Sequence, residues 1–188
     1  MRVLVTGSAG QLGTDVVLAC EAAGDEVIGL SRAELDISDL GAVRRVVDEV
    51  RPDAIINCAA WTAVDDCEAD PERADRINHQ GVGYLAEASA AVGAHLVQVS
   101  TDYVFDGTKS SAYTERDTPN PQSVYGATKL AGERAAGPDA TVVRTSWMCS
   151  AHGSNMVATI LRLAGAHDRL SFVADQRGNP TFTSDLAL

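Results

Sequence analysis

The run Ser100-Thr101-Asp102-Tyr103 is followed further along the chain by Tyr125-Gly126-Ala127-Thr128-Lys129. Together these supply a hydroxyl, a phenol and an ammonium, the groups that protonate a carbonyl oxygen while hydride reaches its carbon. Tyr125 and Lys129 lie four residues apart, so on a helix they share one face, where the ammonium would lower the phenol's pKa. Thr101 or Ser100 would hold the substrate oxygen. A Tyr/Lys pair at this spacing also occurs on ordinary solvated helix faces, so its meaning depends on what surrounds it.

The surroundings begin at the N-terminus. Val3-Leu4-Val5-Thr6 reads as a short buried strand that runs into Gly7-Ser8-Ala9-Gly10-Gln11-Leu12-Gly13, with a helix expected over Thr14 to Ala23. Small residues at this junction allow a tight turn, close approach of the backbone to a pyrophosphate, and a helix N-terminus aimed at the phosphates. Gly7, Gly10, Gln11, Leu12 and Gly13 are therefore expected to bind a dinucleotide cofactor. Further apolar runs at Glu26-Leu30, Ala54-Ala59, Leu96-Ser100, Val142-Thr145 and Leu170-Val173 alternate with helical patterns. That alternation predicts an α/β fold, a Rossmann-like doubly wound parallel sheet with helices on both faces and a ligand crevice at the carboxyl ends of the strands.

The loops after those strands carry the remaining candidates. Arg32 follows the second strand, where an acid often selects NAD; an arginine suits the 2′-phosphate of NADPH, with NADH kept as the alternative. Asp36 and Ile37 are placed to meet the adenine, and Cys58, Ala59 and Ala60 end the third strand with small residues that admit the cofactor backbone. Thr62 and Val64 are substrate-side candidates in the next loop.

Bulk properties bound the class. The 188 residues are 45% hydrophobic, 22% charged and 5% aromatic, which fits one globular unit rather than two. A net charge of −11 argues against a nucleic-acid or anionic-membrane surface, since either needs a basic stripe. No apolar run approaches the length of a membrane span and no signal-peptide pattern is visible, so the cytoplasm is the expected compartment. Cys20, Cys58, Cys67 and Cys149 are scattered without metal-site spacing and read as reduced packing thiols.

With these motifs in view, the chain resembles the extended short-chain dehydrogenases/reductases, and more narrowly the dTDP-4-dehydrorhamnose reductase family. The resemblance runs through Gly10-Gln11-Leu12-Gly13, Leu35-Asp36-Ile37, Thr62-Ala63-Val64-Asp65, Ser100 to Phe105, Tyr125 to Glu133, Arg144-Thr145-Ser146-Trp147 and Asp175 to Thr181. It implies NADPH-dependent reduction of the 4-keto group of dTDP-4-dehydro-β-L-rhamnose to dTDP-β-L-rhamnose. By position it makes Thr101, Tyr125 and Lys129 the catalytic set, with Tyr125 the proton donor, Thr101 bonded to the carbonyl, Lys129 on the cofactor's ribose hydroxyls and Tyr125 also at the cofactor, and turns Asp102, Tyr103 and Trp147 toward the sugar. Residues 1–188 are then a dinucleotide-binding domain, with a substrate-binding region starting after about Trp147.

Departures from the family pattern qualify what carries over. Asp66 stands where a lysine is common, and Met148-Cys149 replace Val-Tyr after Trp147. Relatives are described with magnesium between acids at a subunit contact; Asp15 replaces the usual Glu and no matching acid is evident near Ser184, so the metal is left unknown. Thr183 to Leu188 reads as a helix start that stops, as in a truncated copy whose relatives continue to complete the sugar pocket and a homodimer contact. Two other readings stay open: a non-catalytic NADP-binding regulator resembling the β subunit of methionine adenosyltransferase, and another nucleotide-sugar epimerase or dehydratase.

Overall fold

The apolar runs fold as their patterns require. A computed structural model describes residues 1–172 and 174–188. Its strands and helices alternate as β1 (Arg2–Thr6), α1 (Gln11–Ala22), β2 (Glu26–Leu30), α2 (Leu40–Val50), β3 (Ala54–Asn57), α3 (Val64–Ala69), α4 (Pro71–Asp75), α5 (Gly81–Val92), β4 (His95–Thr101), α6 (Val124–Ala136) and β5 (Thr141–Thr145). A π-helical turn, Arg76–Gln80, joins α4 to α5, and a 3₁₀ turn, Asp102–Val104, follows β4. The five strands form one parallel sheet in the order β2-β1-β3-β4-β5.

Register sorts the strand residues onto two faces. Leu4, Ile55 and Leu96 are aligned across β1, β3 and β4 and enter a core closed by Val43 and Val47 of α2 and Val82, Leu85 and Ala88 of α5. On the opposite face, Val3 and Val5 pack with Leu12 and Val16 of α1. Burial on both faces explains why the strands read as continuous apolar runs rather than alternating ones. The doubly wound expectation is met.

Beyond β5 lie β6 (Met148–Cys149), α7 (Met156–Ala164), β7 (Thr181–Phe182) and α8 (Thr183–Leu186), with β6 and β7 paired in a separate two-stranded sheet. The strand expected at Leu170–Val173 is not formed over Leu170–Phe172, and Val173 lies outside the described residues. Phe172 is 48% exposed, so this stretch has no buried face to reward pairing. The strand expected to reach Ala59 ends at Asn57, and the helix expected from Thr14 already begins at Gln11.

Candidate active site

The first β–α junction is built around close backbone contacts. Gly7 has φ +69°, and a Cβ there would lie 2.7 Å from the Ala59 nitrogen; a Cβ on Gly13 would lie 2.2 Å from the Gly7 oxygen. Gly7 and Gly13 are thus fixed by packing of the turn against the third strand's loop and against α1. Gly10 differs. It caps α1 without a side-chain bond, and a Cβ there would meet only the Gly7 oxygen, at 3.2 Å. Its open side faces a groove, as a phosphate cradle at a helix N-terminus requires.

That groove is lined by Gly7, Gly10, Arg32, Asp36, Cys58 and Ala60, together with Ile37 and Ala59. Eight of the residues expected at the cofactor therefore come together. The five others do not line it: Gln11 donates from Nε2 to the Ser154 carbonyl at 2.9 Å, Leu12 is buried against β1, Gly13 packs on Gly7, and Tyr125 and Lys129 stand on α6. Ile37 is itself nearly fully buried, its carbonyl and side chain lying against Gly81. Asp36 accepts from the Ser38 hydroxyl at 2.7 Å, which holds its carboxyl below the usual range, and Arg32 stands 4.0 Å away on the exposed rim.

Trp61 also lines the groove and was not anticipated from sequence. Asn78, buried in the π-helical turn, accepts from the Trp61 backbone N–H at 2.9 Å and donates to its carbonyl at 3.0 Å. A Cβ on Gly132 would lie 2.1 Å from the Asn78 carbonyl oxygen, so α6 reaches this turn only through glycine. An asparagine followed by histidine in a polar stretch gives no sequence signal for such a clamp.

Further along the same carboxyl edge, Tyr125, Lys129 and Thr101 are all buried. Ser123 caps α6 by accepting from the Gly126 N–H at 3.1 Å, which fixes the first turn on which Tyr125 stands. Gly126 lets that turn press on the 3₁₀ segment, since a Cβ there would lie 2.2 Å from the Tyr103 oxygen. The Thr101 hydroxyl lies beside the Tyr125 phenol and acts on its proton affinity. Thr101 also donates to Asp102 at 3.2 Å, and burial raises the Asp102 carboxyl.

Two sequence expectations require correction. Ser100 does not face the substrate side: adjacent strand residues point to opposite faces, and its hydroxyl donates to Glu133. Nor is Lys129 a main influence on the phenol in this structure. Its ammonium donates to the Val99 carbonyl at 2.7 Å. Burial pushes Tyr125 up to about 12, with the Thr101 hydroxyl opposing and Asp102, Cys67 and Tyr103 acting in the same direction as burial. Burial brings Lys129 itself down to about 8, against the pull of Glu133 and Cys58.

Of the substrate-side candidates, Tyr103 and Val64 pack against Tyr125. Tyr103 and Trp147 are each 38% exposed, and Trp147 has φ +46°, its indole packed on Gly178. Val64 packs in a small cluster with Tyr125 and Cys67, while Thr62 is exposed. Asp66, the departure from the family pattern, lies in the first turn of α3, where an acid suits the helix dipole. Asp15 accepts from Ser150 at 3.2 Å and lies 3.5 Å from His152. Among the described residues, no three His, Cys, Asp or Glu side chains gather to hold a metal ion, and no helix is long and apolar enough to cross a membrane.

Comparison with known proteins gives this arrangement a context. The family model of the RmlD substrate binding domain matches residues 1–188. The chain is 47% identical over 190 residues to a dTDP-4-dehydrorhamnose reductase of Streptomyces griseus, covering 99% of this chain and 62% of that protein. It thus spans somewhat less than two-thirds of that relative. A crystal structure of a dTDP-4-dehydrorhamnose reductase from Clostridium acetobutylicum superposes with a TM-score of 0.96 at 45% identity, covering 100% of this chain and 68% of that one. The reductase of Bacillus anthracis, solved in complex with NADP, gives 0.95 at 41% identity, covering 99% and 68%.

Proposed function

The chain belongs to the dTDP-4-dehydrorhamnose reductase family, and from that premise we propose that it carries the cofactor-binding and proton-donating part of a reductase acting on the 4-keto group of a dTDP-4-dehydro-6-deoxy sugar. The observation that carries this reading is the burial of Tyr125 and Thr101 side by side on the same carboxyl edge of the sheet as the groove lined by Gly10 and Arg32. NADPH, when bound in that groove, supplies the hydride.

The protein's own groups do the rest. Gly10 and the N-terminus of α1 hold the pyrophosphate, Arg32 takes the 2′-phosphate, and Asp36, Ile37, Cys58, Ala59 and Ala60 enclose the adenosine half. Gln11, Leu12 and Gly13 serve by shaping the first turn of α1. Tyr125 keeps its proton at neutral pH because burial holds the phenol far above that range, so it is loaded to donate to the carbonyl oxygen as negative charge develops there. Thr101 fixes the phenol and shares the same oxygen. Lys129 moves from the Val99 carbonyl to the cofactor's ribose hydroxyls.

Asp102, Tyr103 and Trp147 border the sugar, with Thr62 and Val64 as further substrate-side residues. The substrate-binding region begins after Trp147, where the backbone turns through a left-handed conformation. Asp102, whose carboxyl burial raises above its usual range, suits a sugar hydroxyl better than a cation.

The test is NADPH oxidation by the purified chain with dTDP-4-dehydrorhamnose, beside Tyr125→Phe, with the product identified by mass spectrometry. Formation of dTDP-rhamnose that falls by about 100-fold or more in the phenylalanine variant supports the reading. Turnover that is indifferent to the phenol rejects it.

A further inference from the structure

Lys129 is the least expected charge in the molecule. Its side chain is buried, and one helical turn further along α6 stands Glu133, also buried and on the same face. Glu133 is held by three hydrogen bonds from two residues. Arg144 of β5 donates from Nε at 2.8 Å and from Nη2 at 2.6 Å, a bidentate pair, and the Ser100 hydroxyl of β4 donates to Oε1. Arg144 in turn lies over the Phe105 ring, 5.0 Å from its centroid. The carboxylate therefore has a fixed position and no freedom to swing into water.

A pair made only for packing would need no second cation nearby. Here one carboxylate serves two, Arg144 by direct contact and Lys129 through the field between them. The ionisable groups facing Lys129 are Glu133 from its own helix and Cys58 from the loop after β3. From β4 it meets the neutral Val99 carbonyl, which also accepts from Gln98. Of these, Glu133 is the carboxylate paired with a guanidinium, whereas burial pushes the Cys58 thiol up to about 12 and keeps it neutral.

We propose that Glu133, anchored by Arg144 and Ser100, is a positioning residue that keeps Lys129 cationic inside the fold, so that a charged ammonium is available to the cofactor. The inference rests on the reading of Lys129 as the ribose-binding residue. It gives the Ser100 and Glu133 positions of the two motifs a single purpose: they belong to the support of the ammonium and not to the substrate pocket.

The chain has just two lysines, Lys109 and Lys129, so labelling with [13Cε]lysine yields two NMR signals, assigned by Lys129→Met. Their pH titrations are the readout. Glu133→Gln should lower the Lys129 midpoint by about one pH unit and leave Lys109 unmoved, while Glu133→Asp, which retains the charge, should restore most of it. Arg144→Gln removes the competing cation and should raise the midpoint, so it tests the same field with opposite sign if the glutamine variant does not fold. An unchanged Lys129 midpoint in either neutral variant overturns the proposal. NADPH binding at pH 8, followed by its fluorescence, should weaken in Glu133→Gln and in Lys129→Met. Wild-type affinity in Lys129→Met would reject the ribose-binding reading itself, and with it the purpose assigned to Glu133, whatever the titrations show.

Discussion

The Tyr103 ring meets the Tyr125 ring edge to face, with centroids 5.4 Å apart and planes at 75°. Tyr103 is thereby both a wall of the opening and a support for the proton donor. An aromatic pair of this geometry is worth about 0.5–1.5 kcal/mol, and losing it frees the phenol to leave its place beside Thr101. Tyr103→Phe should keep kcat close to wild type, whereas Tyr103→Ala should lower it by about two- to tenfold on the same energy scale. Steady-state kinetics decide it, and an equal loss in both variants would locate the effect in the hydroxyl instead of the ring.

Gly126 and Gly83 make opposite demands although both sit inside helices. A Cβ on Gly126 would lie 2.2 Å from the Tyr103 carbonyl oxygen, whereas one on Gly83 would lie 3.7 Å from the Ala135 Cβ, an ordinary contact. Gly126→Ala should destabilise the protein by about 1–3 kcal/mol as the 3₁₀ turn is pushed off α6. Gly83→Ala should stabilise it by about 0.5–1 kcal/mol through helix propensity alone. Calorimetric melting of the two variants should therefore move Tm in opposite directions, and a shift of the same sign in both would refute the steric assignment.

This contrast marks what could be read from the chain. β1 to β5 were legible because a strand buried on both faces must be apolar throughout, and the glycine junction because nothing larger fits the Gly7–Gly13 contact. The opposite orientations of Ser100 and Thr101 were available from the period of a strand, but choosing which faced the ligand required the position of Glu133. The Lys129 contact was hidden for another reason: its acceptor is the backbone carbonyl of Val99, and every residue has one. Trp61 reaches the groove only because Asn78 grips its backbone from a π-helical turn, a local geometry that residue types do not announce.

Burial of Lys129 links stability to pH. Its ammonium titrates near 8 when folded against 10.5 ordinarily, so between those values the unfolded chain binds the extra proton and stability rises with pH. The burial penalty is complete below about pH 8 and amounts to roughly 3 kcal/mol. Tyr125 works in the other direction, because a folded value of about 12 against 10.0 removes stability only above pH 10. Urea unfolding between pH 7 and 10 should show the wild type gaining stability relative to Lys129→Met as pH increases. A difference that stays constant over this interval would mean that the lysine does not titrate there.

Arg32 provides the sharpest test of cofactor choice. Its guanidinium is 67% exposed, and its nearest acid, Asp36, is 4.0 Å away, too distant for a firm pair and readily exchanged for a phosphate. Asp36 is already engaged by Ser38, so releasing Arg32 leaves no buried charge unpaired. Arg32→Ala should weaken NADPH binding by about tenfold, the worth of one exposed charge-assisted contact, and leave NADH binding unchanged. The NADPH loss should shrink as salt is raised, since an exposed charge pair is screened. Equal losses for NADPH and NADH would show that Arg32 supports the loop and does not read the 2′-phosphate, and the preference for NADPH would then have to come from elsewhere in the groove.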